Sequence, residues 1–182
     1  MVNAWHDVAV GEKKPQFVNA IVEIPKDSKV KYELDKKTGL LKLDRYLFSA
    51  VHYPGDYGFI PQTLWEDGDP LDVFVITHRE TYPLTLCEVK VIGVIRMDDG
   101  GESDDKIIAV HNADPRYNQW NTIEEVPKHF LSELHNFLET YKALENKQVL
   151  VYEVLPAQAA YETIEKAIAM YNDTFGEPKN DE

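Results

Sequence analysis

A single cysteine, Cys87, leaves this chain without an intrachain disulfide. Its fold must rest on packing and hydrogen bonds, a reducing compartment is the expectation, and Cys87 reads as a buried structural thiol. Long apolar runs are missing too. No stretch approaches the roughly 20 residues of a membrane span, and Met1 to Val10 is too polar for a secretory signal. A soluble, cytoplasmic protein with no membrane partner is expected. Basic charge is scarce, with 19 Lys and Arg against 32 Asp and Glu and a net charge of −13. Nucleic-acid binding takes most of its affinity from Lys and Arg on phosphates, so that partner is excluded. Trp5, Trp65 and Trp120 also lack the basic neighbours of a stacking platform. The histidines, at positions 6, 52, 78, 111, 129 and 135, form neither HExxH nor a close H-x-H pair, which argues against a zinc hydrolase.

What the chain has in abundance is carboxylate, and its densest cluster is Asp67-Gly68-Asp69-Pro70-Leu71-Asp72. Gly68 permits a sharp bend and Pro70 fixes one. Carboxylates this close repel, and one of them has its pKa raised unless a cation neutralises the group. Hard oxygen ligands suit Mg²⁺, Mn²⁺ or Ca²⁺. A solvated acidic turn is the plain alternative. Against it, Asp72 opens the apolar run Val73-Phe74-Val75-Ile76, which reads as a core strand where an unpaired charge is expensive. A calcium loop of the EF-hand type fails on spacing, because Asp72 and His78 stand where glycine and glutamate are required.

With 182 residues, one domain over 1–182 is the simplest organisation. No repeat or linker interrupts it. Segments 17–24, 30–34, 40–48, 71–77, 86–97, 106–110 and 148–154 read as strands. Asp35 to Gly39 reads as a hairpin turn, with Gly39 at positive φ. Two helices are expected. One starts at Pro127 with an apolar stripe through Phe130, Leu134, Phe137, Tyr141 and Leu144; the other starts at Ala157. Strands following strands without intervening helices favour a mainly β, α+β fold: a compact closed β-barrel, OB-like, with about five core strands and peripheral helices.

Lys31 with Glu33, and Asp104 with Lys106, each share one strand face, and Glu23 lies opposite Val22 and Ile24. Any one of these faces alone reads as solvated. Together with the aspartate cluster they favour a polar cavity lined by strands. The loop from Asp98 to Asp105 reads as a flexible charged turn that is richer in carboxylate than a turn requires. Tyr53 and Tyr57, set among Pro54, Gly55 and Gly58, read as presenting hydroxyls from a loop. On local pattern Lys142 reads as a solvated helix residue.

The segment Asp67-Gly-Asp-Pro-Leu-Asp72 fits the signature D-x-D-P-x-D in full. Around it, in order, stand Val22-Glu23-Ile24-Pro25, Lys31-Tyr32-Glu33, Asp44-Arg45, Tyr53-Pro54 with Tyr57-Gly58, Met97-x-Asp99, Asp104-x-Lys106 and Tyr141-Lys142. On these residues the chain closely resembles the family I soluble inorganic pyrophosphatases of the short, prokaryotic type. The resemblance runs from about Phe17 to Lys142; one departure is Gly100, where some bacterial relatives carry an acid. It implies hydrolysis of pyrophosphate, taken as its Mg complex, to two orthophosphates, with several Mg²⁺ ions (Mn²⁺ a possible substitute) and a homo-oligomer, a hexamer favoured. By the same resemblance Asp67, Asp72 and Asp104 hold the tightest metal, and Asp72 bridges to a second. Asp99 and Asp104 carry metal arriving with substrate, and Glu23 holds another through water. Asp69 is the catalytic base. Lys31, Arg45, Tyr57, Lys106, Tyr141 and Lys142 grip phosphate oxygens, supported by Glu33 and Tyr53. A metal-dependent phosphatase for another ester and a non-catalytic binding barrel are the alternatives.

Overall fold

The computed structural model describes residues 2–177. Its strands are β1 (Phe17–Ile24), β2 (Val30–Leu34), β3 (Leu41–Tyr46), β4 (Asp56–Phe59), β5 (Asp72–Ile76), β6 (Leu86–Asp99), β7 (Glu102–Ser103), β8 (Lys106–His111) and β9 (Val149–Pro156). The two helices are α1 (Lys128–Thr140) and α2 (Ala157–Phe175). Strands β1, β4, β5, β8 and β6 pair in that order, and β6 pairs back onto β1, which closes a five-strand barrel. Only β5 and β8 run parallel within this ring. Strands β7 and β9 extend from β6, and β2–β3 forms a separate hairpin.

Strand sequences that are apolar at nearly every position belong where both faces are covered. In β5, Phe74 and Ile76 join a cluster with Leu134 and Phe137 of α1, while Val73 and Val75 join another with Ala160 and Ile164 of α2. The two helices thus cover opposite sides of the same wall. No helix among the described residues is long and apolar enough to cross a membrane.

Three local expectations are corrected. Residues 56–59 form a strand, although the surrounding proline and glycines read as a loop. Gly58 is what permits it: a Cβ there would lie 1.9 Å from the carbonyl oxygen of Ile21 on β1. Helix α1 ends at Thr140, so Tyr141 caps it and Leu144 is exposed instead of continuing the stripe. Cys87 is half-buried, not enclosed. The acidic loop after β6 is a defined two-residue turn, with Gly100 at φ 68° and Gly101 at φ 96°, a conformation open to glycine. Asp98 Oδ1 accepts the Gly101 N–H at 2.6 Å. The Asp35–Gly39 turn is as expected, with Gly39 at φ 72°.

One buried carboxylate ties the barrel to its loops. Asp56 is fully enclosed, and its Oδ1 accepts the N–H groups of Lys26 at 2.8 Å and Thr81 at 3.2 Å. Its Oδ2 faces His111 Nε2 at 3.5 Å, too long for a well-formed hydrogen bond, so the contact is an ion pair. This carboxylate, followed by Cys87, raises the imidazole pKa to about 9. A raised histidine contributes stability fully below its unfolded value and loses it as pH rises through the folded one. We expect the stability gap between wild type and His111→Gln, measured by urea melts, to be widest below about pH 6.5 and to close through about pH 9. A gap that is constant from pH 6 to 10 contradicts the ion pair.

Candidate active site

A cavity of about 530 Å³ opens where β5, β8, the β2–β3 hairpin and the end of α1 meet. Every residue given a metal, catalytic, phosphate-binding or supporting role from the sequence lines it except Arg45. The parallel register of β5 and β8 places Asp72 beside Lys106. The Lys106 side chain is 3 % exposed, and its ammonium lies 2.5 Å from Asp72 Oδ2 and also bonds Asp104. The Tyr57 hydroxyl donates to the same Asp72 oxygen at 2.6 Å. Burial pulls the Lys106 pKa down, but Asp72 and Asp104 more than offset it, so the amine stays charged. Burial is also the main reason that Asp104 and Asp67 are each raised to about 6, with Asp72 adding repulsion at both.

Glu23 enters the cavity from a bulge in β1, where Val22 pairs with Gly58 and Ile24 with Tyr57. Its carboxylate accepts the Leu34 N–H at 2.6 Å, which fastens β2 to the barrel. Burial raises it to about 8, and the Leu34 bond only partly opposes this. Asp67 and Asp69 lie in the bend before β5, where Gly68 takes φ 84°. On the opposite wall, Lys142 is buried and bonds Asp99, which corrects the reading of it as solvated. Its pKa is lowered by burial despite that partner. Tyr53, Tyr57 and Tyr141 are all raised well above 10, mainly by burial, so their hydroxyls remain donors. Tyr53 packs at 5.6 Å from Tyr57 and 4.8 Å from Phe137.

Lys31 pairs with Glu33 across one face of β2, as the alternation predicts, and reaches Asp44 at 3.6 Å. Arg45 sits behind the lining, paired with Asp44 and with Glu145 at 2.9 Å. Its Nη2 is buried without a partner, so its two N–H donors are unused.

Among the described residues no three carboxylate or imidazole groups converge as a ready-made metal cage. The Lys106 ammonium stands between Asp72 and Asp104 instead. The donor set nevertheless fits hard cations. Glu23, Asp67 and Asp104 are all pushed toward protonation by burial and mutual repulsion, and added positive charge relieves that.

The family model for inorganic pyrophosphatase matches residues 20–172. The chain belongs to that family. It is 51% identical to soluble inorganic pyrophosphatase 4 of Arabidopsis thaliana over 169 residues, which cover 93% of this chain and 78% of the relative. It is 47% identical to soluble inorganic pyrophosphatase 2 of Chlamydomonas reinhardtii, covering 94% and 89%. Among solved structures, the inorganic pyrophosphatase of Thermus thermophilus superposes with a TM-score of 0.91 at 41% identity, covering 94% of this chain and 99% of that one.

Within this family member, two features escaped the sequence reading. Lys36, in the turn between β2 and β3, reaches Asp69; nothing in local spacing signals that contact. Asp105, between Asp104 and Lys106, points away from the cavity, as alternation requires. It is buried, pairs with Arg96 of β6 and accepts the Met97 N–H at 3.3 Å. Arg96 also donates to Thr163 of α2 at 2.9 Å. This clamp fixes the strand start from which Asp104 and Lys106 project. Asp105→Ala should cost about 1–3 kcal/mol, because it strands two donors. The urea midpoint should fall at unchanged m, and turnover should fall with it; an unchanged midpoint contradicts the clamp.

Proposed function

We propose that this chain hydrolyses inorganic pyrophosphate to two orthophosphates, by direct attack of water on phosphorus. The observation that carries the reading is the interlocked Asp72–Lys106–Asp104 group, buried in a cavity whose other wall presents ammonium and hydroxyl donors, within a chain of the inorganic pyrophosphatase family. Phosphoryl transfer asks a protein chiefly for positioning and for neutralising charge that spreads over the transferred group. Both are available here.

Lys31, Lys106, Lys142, Tyr57 and Tyr141 hold the phosphate oxygens, and Arg45 joins them only when its unpartnered Nη2 moves forward from behind the wall. Lys106 has three donors; two serve carboxylates and one remains for substrate. Tyrosines held neutral contribute donors without adding charge. Asp69 takes the proton of the attacking water. Glu33 and Tyr53 hold Lys31 and Tyr57 in place.

Asp67, Asp72, Asp104, Asp99 and Glu23 hold Mg²⁺ ions, which the crowding of their carboxylates favours. When bound, those ions neutralise pyrophosphate and make a nearby water more acidic.

The molecule works as one domain over 1–182 in the cytoplasm, and as a homo-oligomer, a hexamer favoured. Tyr82, Leu84 and Leu86 support self-association: they are 86 %, 47 % and 53 % exposed over five residues, apolar surface that a lone subunit leaves wet. Light scattering after size exclusion should give a mass several times that of the 20.9 kDa chain; a monomer at micromolar concentration refutes the assembly.

Orthophosphate should be released from pyrophosphate only with Mg²⁺, and far faster than from ATP or p-nitrophenyl phosphate. Preference for either organic phosphate would move the reading to another ester. Asp69→Asn should lower kcat by about 10²–10⁴-fold while leaving Mg²⁺ binding by calorimetry nearly intact. Near-normal turnover removes Asp69 as the base.

A further inference from the structure

We infer that Lys36 is a positioning residue that holds the Asp69 carboxylate in its working orientation, an inference that rests on Asp69 being the base. The backbone around Asp69 is well tied. Its N–H donates to Asp67 Oδ1 at 3.0 Å, and its carbonyl accepts the Trp65 N–H at 2.7 Å. The side chain is not: it is 55 % exposed, and among the described residues its partner is the Lys36 ammonium. An exposed carboxylate on a glycine-containing bend otherwise samples several rotamers.

Lys36 is itself held at several points. Its ammonium also donates to Gly68 O at 3.3 Å and lies 5.2 Å from the ring centre of Trp5. Trp5 is buried and anchored by its indole N–H, which donates to Thr63 O at 2.7 Å. The turn that carries Lys36 is closed by Asp35 Oδ1, which accepts the N–H groups of Lys37 at 3.1 Å and Thr38 at 2.8 Å. A rigid corner therefore presents an ammonium to both the backbone and the carboxylate of the bend before β5.

Stability does not account for this arrangement. Lys36 and Asp69 are 46 % and 55 % exposed, and ion pairs of that exposure contribute little to folding. Orientation does account for it. A base acts only within hydrogen-bond reach of the proton it takes, and small misplacements cost rate steeply. Lys36 works through Asp69 and needs no contact with pyrophosphate.

The test is a double-mutant cycle on the Mg²⁺-loaded enzyme. Lys36→Ala should lower kcat about tenfold, with KM for pyrophosphate within about twofold and an unchanged melting temperature. Lys36→Arg, which keeps the charge and reach, should recover most of the loss, and Lys36→Gln should not. In the Asp69→Asn background, Lys36→Ala should cost nothing further, because a residue that acts through another loses its effect with it. An equal cost in both backgrounds, or a rise in KM at constant kcat, overturns the inference by showing that Lys36 acts on substrate directly. If residual turnover of the Asp69→Asn pair is too low to compare, Arg against Gln decides: equal loss overturns it. Failure of the underlying reading shows separately, as Asp69→Asn with wild-type turnover, and overturns both.

Discussion

The buried ammonium of Lys106 and the two carboxylates it joins are the contact on which the rest of the cavity depends. Alone, each charge costs more to bury than a barrel of this size can readily supply. Together they compensate one another, and the Tyr57 hydroxyl occupies a further lone pair of Asp72. The geometry comes from backbone register. The parallel pairing of β5 with β8 sets Asp72 against Lys106, and strand alternation brings Asp104 to the same face. A slip of one residue would turn these side chains into the apolar layer and bring Val73 and Ile107 to the cavity.

The same alternation lets one strand start serve two sides. Asp104 and Lys106 face the cavity, while Asp105 between them faces α2 through Arg96 and Thr163. Helix α2, with no residue in the cavity lining, thereby bears on the position of two residues that have one. On the other flank the end of α1 delivers Tyr141 and Lys142: Tyr141 closes its last turn, its N–H donating to Phe137 O at 2.9 Å, and Lys142 follows directly. Phe137, stacked on Tyr141 at 5.3 Å and packed on Tyr53, joins that flank to the tyrosines beside β4.

Carboxylates outnumber cations in the cavity, and burial sharpens their mutual repulsion. Glu23, Asp67 and Asp104 lie above their ordinary pKa ranges chiefly because burial disfavours their charged forms, with repulsion from Asp72 adding to it. The excess is costly for folding and useful for collecting cations. It makes an acidic chain compatible with an anionic substrate, because cations drawn in by the carboxylates become the largest local charges.

Most of this was legible in the chain. Runs rich in Val, Ile and aromatic residues marked the strands, the 3.6-residue period marked both helices, and the dense aspartate segment marked the cavity, because each of these signals is local. What escaped was not local. The strand Asp56–Phe59 was hidden by glycines, of which Gly58 is there for a close approach to Ile21 of β1, more than thirty positions away. The Arg45–Glu145, Lys36–Asp69 and Arg96–Asp105–Thr163 contacts join segments that have no reason in sequence to meet. By itself the sequence determined the barrel class and singled out most of the polar side chains that line the cavity, since residue type and periodicity are properties of short windows. Only the tertiary structure decided that Lys106 sits between the carboxylates, that Arg45 stands behind the wall and that Lys142 is buried, since burial and pairing arise when distant segments close on one another.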